Sequence, residues 1–599
     1  MTRTKLSSPT FIGQVSSVRG GEVTVKLRSV PTTLVMVDGE AFRIGQIGSF
    51  VRIPMGYAQL YGVCTQVGAS AGKALVDGVE PIVEYEDPDL DGFRWITVAL
   101  FGESIASRFE RGVGQYPTVG NEVHLVTSKD SRIIYGSDTD QAASIDIGHI
   151  SGTPSISATL DIGSIVTRHA CVVGSTGSGK SNLMAVFLRS IAEGPLTSAR
   201  VLVVDPHGEY ASALDPATYV ELKAEVGSAG GLRVPYWALT FDNFARIALG
   251  PMSEAHSEHV REHVRRLKVA ASSKLSSAPA ESDVTADSPI PFSVRRLWFE
   301  LHVLEDATFT DQTQTDLVRT VPTDVGDEAS MKRRIYPAPG AGSAKPYQAK
   351  TRKGISRQLE FLRTRVTDPR FSFMFGVDDF EPDRDGATKS DLDALLVQWM
   401  GSEKRITIMD VAGLPTEIVT TVVGSILALV YQCIFWGMNL DVGGKRQPLL
   451  VVVDEAHRFL PAHENTPSTE ICTRIAREGR KYGIGLMAVT QRPSDIDPAI
   501  LSQCGSMIAL RVTNSSDRSI VASAVPDDLG NLVALLPSLR TGECLVLGEA
   551  LQVPSRVRIK KAPARPVGDD PQMPQSWMNE RPKADLYKDA LTNWRSQTT

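Results

Sequence analysis

A chain of 599 residues, 42% hydrophobic and 22% charged with a formal net charge of −6, excludes wholesale disorder and a uniformly basic nucleic-acid coat, while leaving room for a basic channel inside an assembly. At roughly 150 residues per domain, this length predicts about two to four domains. Neither the 49 glycines and 35 prolines nor the six scattered cysteines, which form no CxxC pair, suggest a low-complexity chain, a disulfide frame or a zinc site; the thiols read as reduced, in a cytosolic protein.

In chain order, the opening MTRTKLSSPTFIGQV lacks the apolar core of a signal peptide. Val15, Val18, Val23, Val25 and Leu27 then alternate around Arg19-Gly20-Gly21-Glu22, a hairpin signal. Short strands are predicted at Gly48–Ile53, Leu60–Val67, Trp95–Phe101 and Glu122–Val126, and their even spacing favours a small barrel. From about residue 150 apolar strands alternate with helical stretches, the pattern of a parallel α/β sheet. The core strands are placed at His169–Val173, Arg200–Val204, Arg405–Met409, Leu449–Val453, Gly485–Val489 and Met507–Val512. Roughly 200 residues separate the second from the third, more than one crossover needs, so an inserted helical region is expected. It contains Phe292–His302 and Gly354–Val366 as helices, with Ala270–Pro289 and Tyr336–Gly354 as poorly structured stretches. Ile418–Leu440 is uncharged and long enough to span a bilayer, but its place between two core strands makes it a buried helix. The last 40 residues read as a proline-bearing tail ending in a short helix near Ala584–Trp594.

Chemistry concentrates at strand ends. Gly174-Ser175-Thr176-Gly177-Ser178-Gly179-Lys180-Ser181 fits G-x-x-x-x-G-K-[ST], with an apolar strand before it and a helix, Asn182–Ala192, after it. Its backbone N–H groups can curl around phosphates, Lys180 adds a mobile charge, and Ser181 offers a hydroxyl to Mg²⁺. Asp454 and Glu455 follow the strand Leu449–Val453: one carboxylate suits a metal's coordination sphere, the other suits polarising an attacking water. Gln491 ends the next strand and can report the γ-phosphate. In RIAREGRK, residues 474–481, Arg477 or Arg480 is a candidate to reach a neighbouring subunit's nucleotide, with Arg511 in reserve; a solvated helix end is the plainer alternative. Asp205, His207 and Glu209 follow the second strand, as active-site groups or as a capped turn. His259-Val260-Arg261-Glu262-His263 matches a metalloprotease pattern, but the arginines crowding it and the lack of a downstream ligand make it a solvated helical face.

Together, GSTGSGKSN (174–182), DPHGEY (205–210), VVVDEAH (451–457), the run 474–497 and LPSLRTGECLVLG (536–548) resemble the HerA family of ATPases, relatives of FtsK-type DNA pumps. The resemblance implies an α/β, RecA-like P-loop NTPase core with a parallel sheet, a small N-terminal β-barrel and a helical insertion. The expected division is a HAS-barrel-like unit over 1–148, core over 149–250, insertion over 251–400, core over 401–560 and a bracing tail over 561–599. It also implies ATP and Mg²⁺ as ligands. Gly174 to Asn182 would hold nucleotide, Ser181 and Asp454 metal, Glu455 would activate water, Gln491 would sense the γ-phosphate, and Arg477 or Arg480 would act in trans.

The implied assembly is a cytoplasmic homohexamer, without a membrane, threading double-stranded DNA through its pore. A partner nuclease or sirtuin-type NADase would dock on the barrel face, in antiphage defence or DNA end processing. An ATP-dependent scaffold that activates such an effector without translocation is the alternative, and a membrane-coupled conjugation or secretion ATPase is a third.

Overall fold

The computed structural model describes residues 8–28, 34–37, 39–70, 93–135, 144–151, 153–224, 231–341, 344–523, 530–564, 566, 575–578 and 586–596. The alternation seen in the first stretch becomes the inner wall of a barrel. Along Glu22–Leu27, Val23, Val25 and Leu27 point inward, as a two-residue side-chain period requires. Strands Phe11–Arg19, Glu22–Leu27, Phe93–Ile105, Ala58–Ser70, Phe50–Pro54 and Glu122–Leu125 pair antiparallel in that ring order, and the last closes on the first. Arg108–Arg111 adds to Phe93–Ile105, and the Arg111 guanidinium donates to the carbonyls of Gly548, Leu551 and Gln552 in the second unit.

That second unit is built on an eleven-stranded sheet. Seven strands are parallel, in the order Ser506–Ala509, Ala170–Val173, Ile484–Thr490, Leu449–Val453, Arg200–Asp205, Ile406–Asp410 and Tyr219–Lys223. Leu449–Val453 and Ile484–Thr490 are buried along their whole length, which explains their unbroken apolar sequence. All six expected core strands are present to within a few residues. The sheet is mixed, not parallel throughout: Glu543–Gly548, Ser555–Ile559, Ser144–Ile150 and Thr153–Asp161 extend it antiparallel from Ser506–Ala509. Within this extension Ser144–Ile150 with Thr153–Asp161, and Glu543–Gly548 with Ser555–Ile559, are joined by short connections that parallel crossovers cannot use.

Helix Val419–Trp436 accounts for the apolar segment. Val422, Val423, Ile426, Leu427, Val430 and Ile434 face the core, while Trp436 at its end is 79% exposed. It is the one helix among the described residues long and apolar enough to cross a membrane, and 61% of it is buried in protein. Helix Pro467–Tyr482 packs closely against it: a Cβ on Gly424 would lie 2.5 Å from the carbonyl carbon of Pro467 and the nitrogen of Ser468.

Helix Phe241–Ala248 and, in the insertion, helices Glu254–Ser272, Val294–Asp306 and Ser356–Thr367 share one continuous apolar core with a face of the sheet. The indole N–H groups of Trp237 and Trp298 donate to the carbonyls of Phe380 and Leu359, each at 2.9 Å. The stretch after residue 270, expected to be loose, has little regular structure but is pinned from below. Lys268, 1% exposed, donates to the carbonyls of Trp237, Ala286 and Ser288. Asp287 accepts from the Phe241 N–H at 2.7 Å. Within Tyr336–Gly354, Tyr347–Gln348 pairs with Thr308–Phe309. The reading of 259–263 as a fully solvated face needs correction: Val260 and His263 are buried, because Glu254–Ser272 turns that side onto helix Val294–Asp306, with His263 3.5 Å from Glu300.

Candidate nucleotide site

The strand Ala170–Val173 ends at Gly174, between two parallel neighbours that hold the base of the loop. The Gly174 N–H donates to Thr490 O (3.2 Å) and the Ser175 N–H to Arg511 O (2.9 Å). Gly177 and Gly179 take φ values of +70° and +108°, where a side chain is strained. Gly174 is needed for space: a Cβ there would lie 2.5 Å from Ser178 Oγ and 2.9 Å from Leu510 Cβ. The turn before Glu543–Gly548 supports the loop from another side, through Gly542 N–H to Ser178 O at 2.9 Å. Lys180 opens helix Lys180–Glu193, and its ammonium folds back on Gly174 O at 2.8 Å. Burial pulls its pKa down, while Glu455, Asp454 and Glu209 push it up. Ser178 Oγ is buried without a hydrogen-bond partner. Helix dipole, ammonium and orphaned hydroxyl together fit a polyphosphate.

Across the crevice, Asp454 and Glu455 leave Leu449–Val453. Burial pushes the Asp454 carboxyl up to about 7, helped by Glu455 and Asp205 and opposed by the Glu455 N–H and the Tyr210 hydroxyl. A carboxyl this desolvated gains from a nearby cation, so Asp454 and the Ser181 hydroxyl are the residues that would hold Mg²⁺. Bound there, the ion supplies positive charge beside the phosphates. Glu455 sits in the left-handed region, φ +44°, which costs about 1–2 kcal/mol for a residue with a Cβ. Its Oε1 accepts from Gln491 Nε2 at 2.5 Å, and Gln491 Oε1 accepts from Thr176 Oγ1 at 2.5 Å. A hydrogen-bonded chain therefore links the phosphate loop, the amide and the carboxylate. The other oxygen, Oε2, is buried without a hydrogen-bond donor; His457 Nδ1 lies 3.3 Å away but lacks hydrogen-bond geometry.

Some expected residues play other parts. Asp205 is a turn cap, accepting from the N–H groups of His207, Gly208 and Tyr210 at 2.9–3.1 Å, and so it sets Tyr210 beside Asp454. Asn182, expected among the nucleotide-binding positions, commits its amide to Lys560 O and the Ala562 N–H, both at 3.0 Å, because the strand Ser555–Ile559 exits over its helix. Arg477 and Arg480 lie on the exposed side of Pro467–Tyr482, and among the described residues neither has an ion-pair partner. Arg511 contributes its carbonyl, accepting from Ser175 Oγ. Sequence reasoning missed Tyr210, Thr176 as a link to Gln491, and His457. Only the place of His457 two residues after Glu455 could have pointed to it.

The description "Helicase HerA, central domain" matches residues 145–430. The DNA double-strand break repair helicase HerA of Pyrococcus furiosus is 25% identical over 74% of this chain and 73% of its own, and its namesake from Sulfurisphaera tokodaii is 23% identical over 80% of each. Among solved structures, VirB4 of Thermoanaerobacter pseudethanolicus covers 70% of this chain and 97% of its own at 13% identity, with a TM-score of 0.44.

Proposed function

We propose that the chain, whose residues 145–430 match the HerA helicase central domain and which is an ATPase that takes ATP with Mg²⁺, is a HerA-type homohexameric motor moving double-stranded DNA through the ring pore. The observation that carries the reading is the chain Thr176–Gln491–Glu455, with the free Oε2 of Glu455 beside it. A nucleotide-binding switch needs no buried carboxylate poised for a proton, whereas hydrolysis does. Residues Gly174 to Ser181 would cradle the phosphates, Lys180 leaving the Gly174 carbonyl for an oxygen of the nucleotide. Glu455 would orient and deprotonate water, and Gln491 would pass the presence of the γ-phosphate to it.

Arg477 or Arg480 would complete the site from a neighbouring copy. Both stand free on an exposed helix face, as a residue acting across a subunit seam must. A ring supplies that seam to every copy. The HerA relatives named as double-strand break repair helicases support duplex DNA as the track. A nuclease or sirtuin-type NADase on the barrel face, serving antiphage defence or end processing, extends the proposal.

The test is a subunit-mixing assay. Rings doped with Glu455→Gln, and separately with Arg477→Ala or Arg480→Ala, are measured for duplex-stimulated hydrolysis, and complementation between the two variant types is expected. A monomer that hydrolyses ATP as fast as the assembly would overturn the motor. Full effector activity with Glu455→Gln would replace the motor with an ATP-dependent scaffold.

A further inference from the structure

The insertion carries a charge anomaly. Between Glu328 and Glu360 there are eight Lys and Arg and no Asp or Glu, in a chain whose net charge is −6. The fold gathers part of this run at one cleft of about 210 Å³, whose lining includes Arg333, Arg334, Arg352 and Tyr336. The Arg333 and Arg352 side chains are 60% and 47% exposed, and their nearest carboxylates, Asp306 and Glu305, stand off at 3.7 and 3.9 Å. Glu305 is already used, accepting from the Lys353 and Gly354 N–H groups at 2.6–3.1 Å. Arg334 is held by the Val325 carbonyl and by the Phe299 ring. Tyr336 is only 8% exposed, yet its buried hydroxyl has no hydrogen-bond partner. A second cleft shares Arg334, but there Arg266 and Arg296 pair with Glu300 and Arg384 with Glu328, so the unspent guanidinium groups are those of the first cleft.

We propose that this face of the insertion is a second nucleic-acid contact, binding backbone phosphates of duplex DNA outside the pore, with the Arg333–Arg352–Tyr336 cleft holding one phosphate. Guanidinium forks with unspent donors match phosphate oxygens in pairs, and the orphaned hydroxyl supplies a further donor. Such contacts carry no base information and set position and grip. This rests on the reading of a duplex-bound motor; it adds a holding site beside the track.

The experiment measures duplex binding by the full-length assembly against salt, using a fluorescent blunt 40-base-pair probe. Losing the one phosphate held in this cleft should flatten the log K against log salt slope by about 0.9. Arg333→Gln with Arg352→Gln is expected to show that loss while basal ATP hydrolysis stays unchanged. Arg333→Lys with Arg352→Lys should restore the slope but not the full affinity, and Tyr336→Phe should weaken binding several-fold at constant slope. An unchanged slope in the Gln pair, with wild-type binding intact, overturns the second contact and leaves the motor standing. An unchanged slope with loss of the ring would assign the face to a contact between copies, which also overturns it. Wild-type protein that neither binds duplex nor is stimulated by it would remove the motor reading and this contact together.

Discussion

Replacing Gln491 by Ala tests the hydrogen-bonded chain between the phosphate loop and Glu455. Gln491 gives its N–H to a nearly buried carboxylate and takes the Thr176 hydroxyl. A hydrogen bond to a charged group is worth about 1.5–3 kcal/mol. If that is realised in the transition state, kcat falls by roughly 10- to 150-fold, at about 1.4 kcal/mol per factor of ten. Thr176→Val removes a neutral bond worth about 0.5–1.5 kcal/mol, so alone it should slow turnover by roughly 2- to 13-fold. Since Thr176 reaches Glu455 only through the amide, adding Thr176→Val to Gln491→Ala should cost nothing more. Glu455→Gln should lower kcat by about 10²- to 10⁴-fold, the range for a lost general base. The assay is steady-state ATP hydrolysis at saturating ATP and duplex, run as a double-mutant cycle. Two effects that multiply, with a coupling energy below about 0.5 kcal/mol, would refute a relay through Gln491.

Gly174→Ala should weaken ATP binding at least tenfold and cost roughly 1–3 kcal/mol by overpacking, because its Cβ meets Ser178 and Leu510 inside 3 Å. Gly177→Ala has open space around its Cβ and should show only the conformational cost, about 1–2 kcal/mol; calorimetry with and without nucleotide separates the two. Asn182→Ala should lower the melting temperature slightly and leave the KM for ATP unchanged, since its amide holds residues 560–562. Burial lowers Lys268 to about 7, with Asp287 opposing. The unfolded chain, with an ordinary lysine near pH 10.4, therefore binds the extra proton between about pH 7 and 10. Stability from this group is full above that window and is lost as pH falls toward 7. Lys268→Met should flatten the stability-against-pH curve there, as read by chemical denaturation.

The local chemistry was legible because it is written in contiguous residues. A phosphate loop needs its glycines, lysine and hydroxyl within eight positions, and a buried parallel strand such as Leu449–Val453 needs an unbroken apolar run. Strand-end placement of Asp454, Glu455 and Gln491 followed from the same reading. Tertiary structure alone decided what those groups touch. Gln491 meets Thr176 across 315 positions, and Asn182 meets Lys560 across 378. Such pairings depend on strand order, which no local pattern records. The antiparallel extension of the sheet was hidden for the same reason: its two hairpins, 144–161 and 543–559, come from distant parts of the chain and become neighbours only when the sheet is assembled. Likewise, the sequence shows a run of cations near residue 340 but not that Tyr336 lies beneath them with an unpaired hydroxyl. Burial and pairing of a polar atom are properties of the packed chain, because they depend on atoms brought from elsewhere in it.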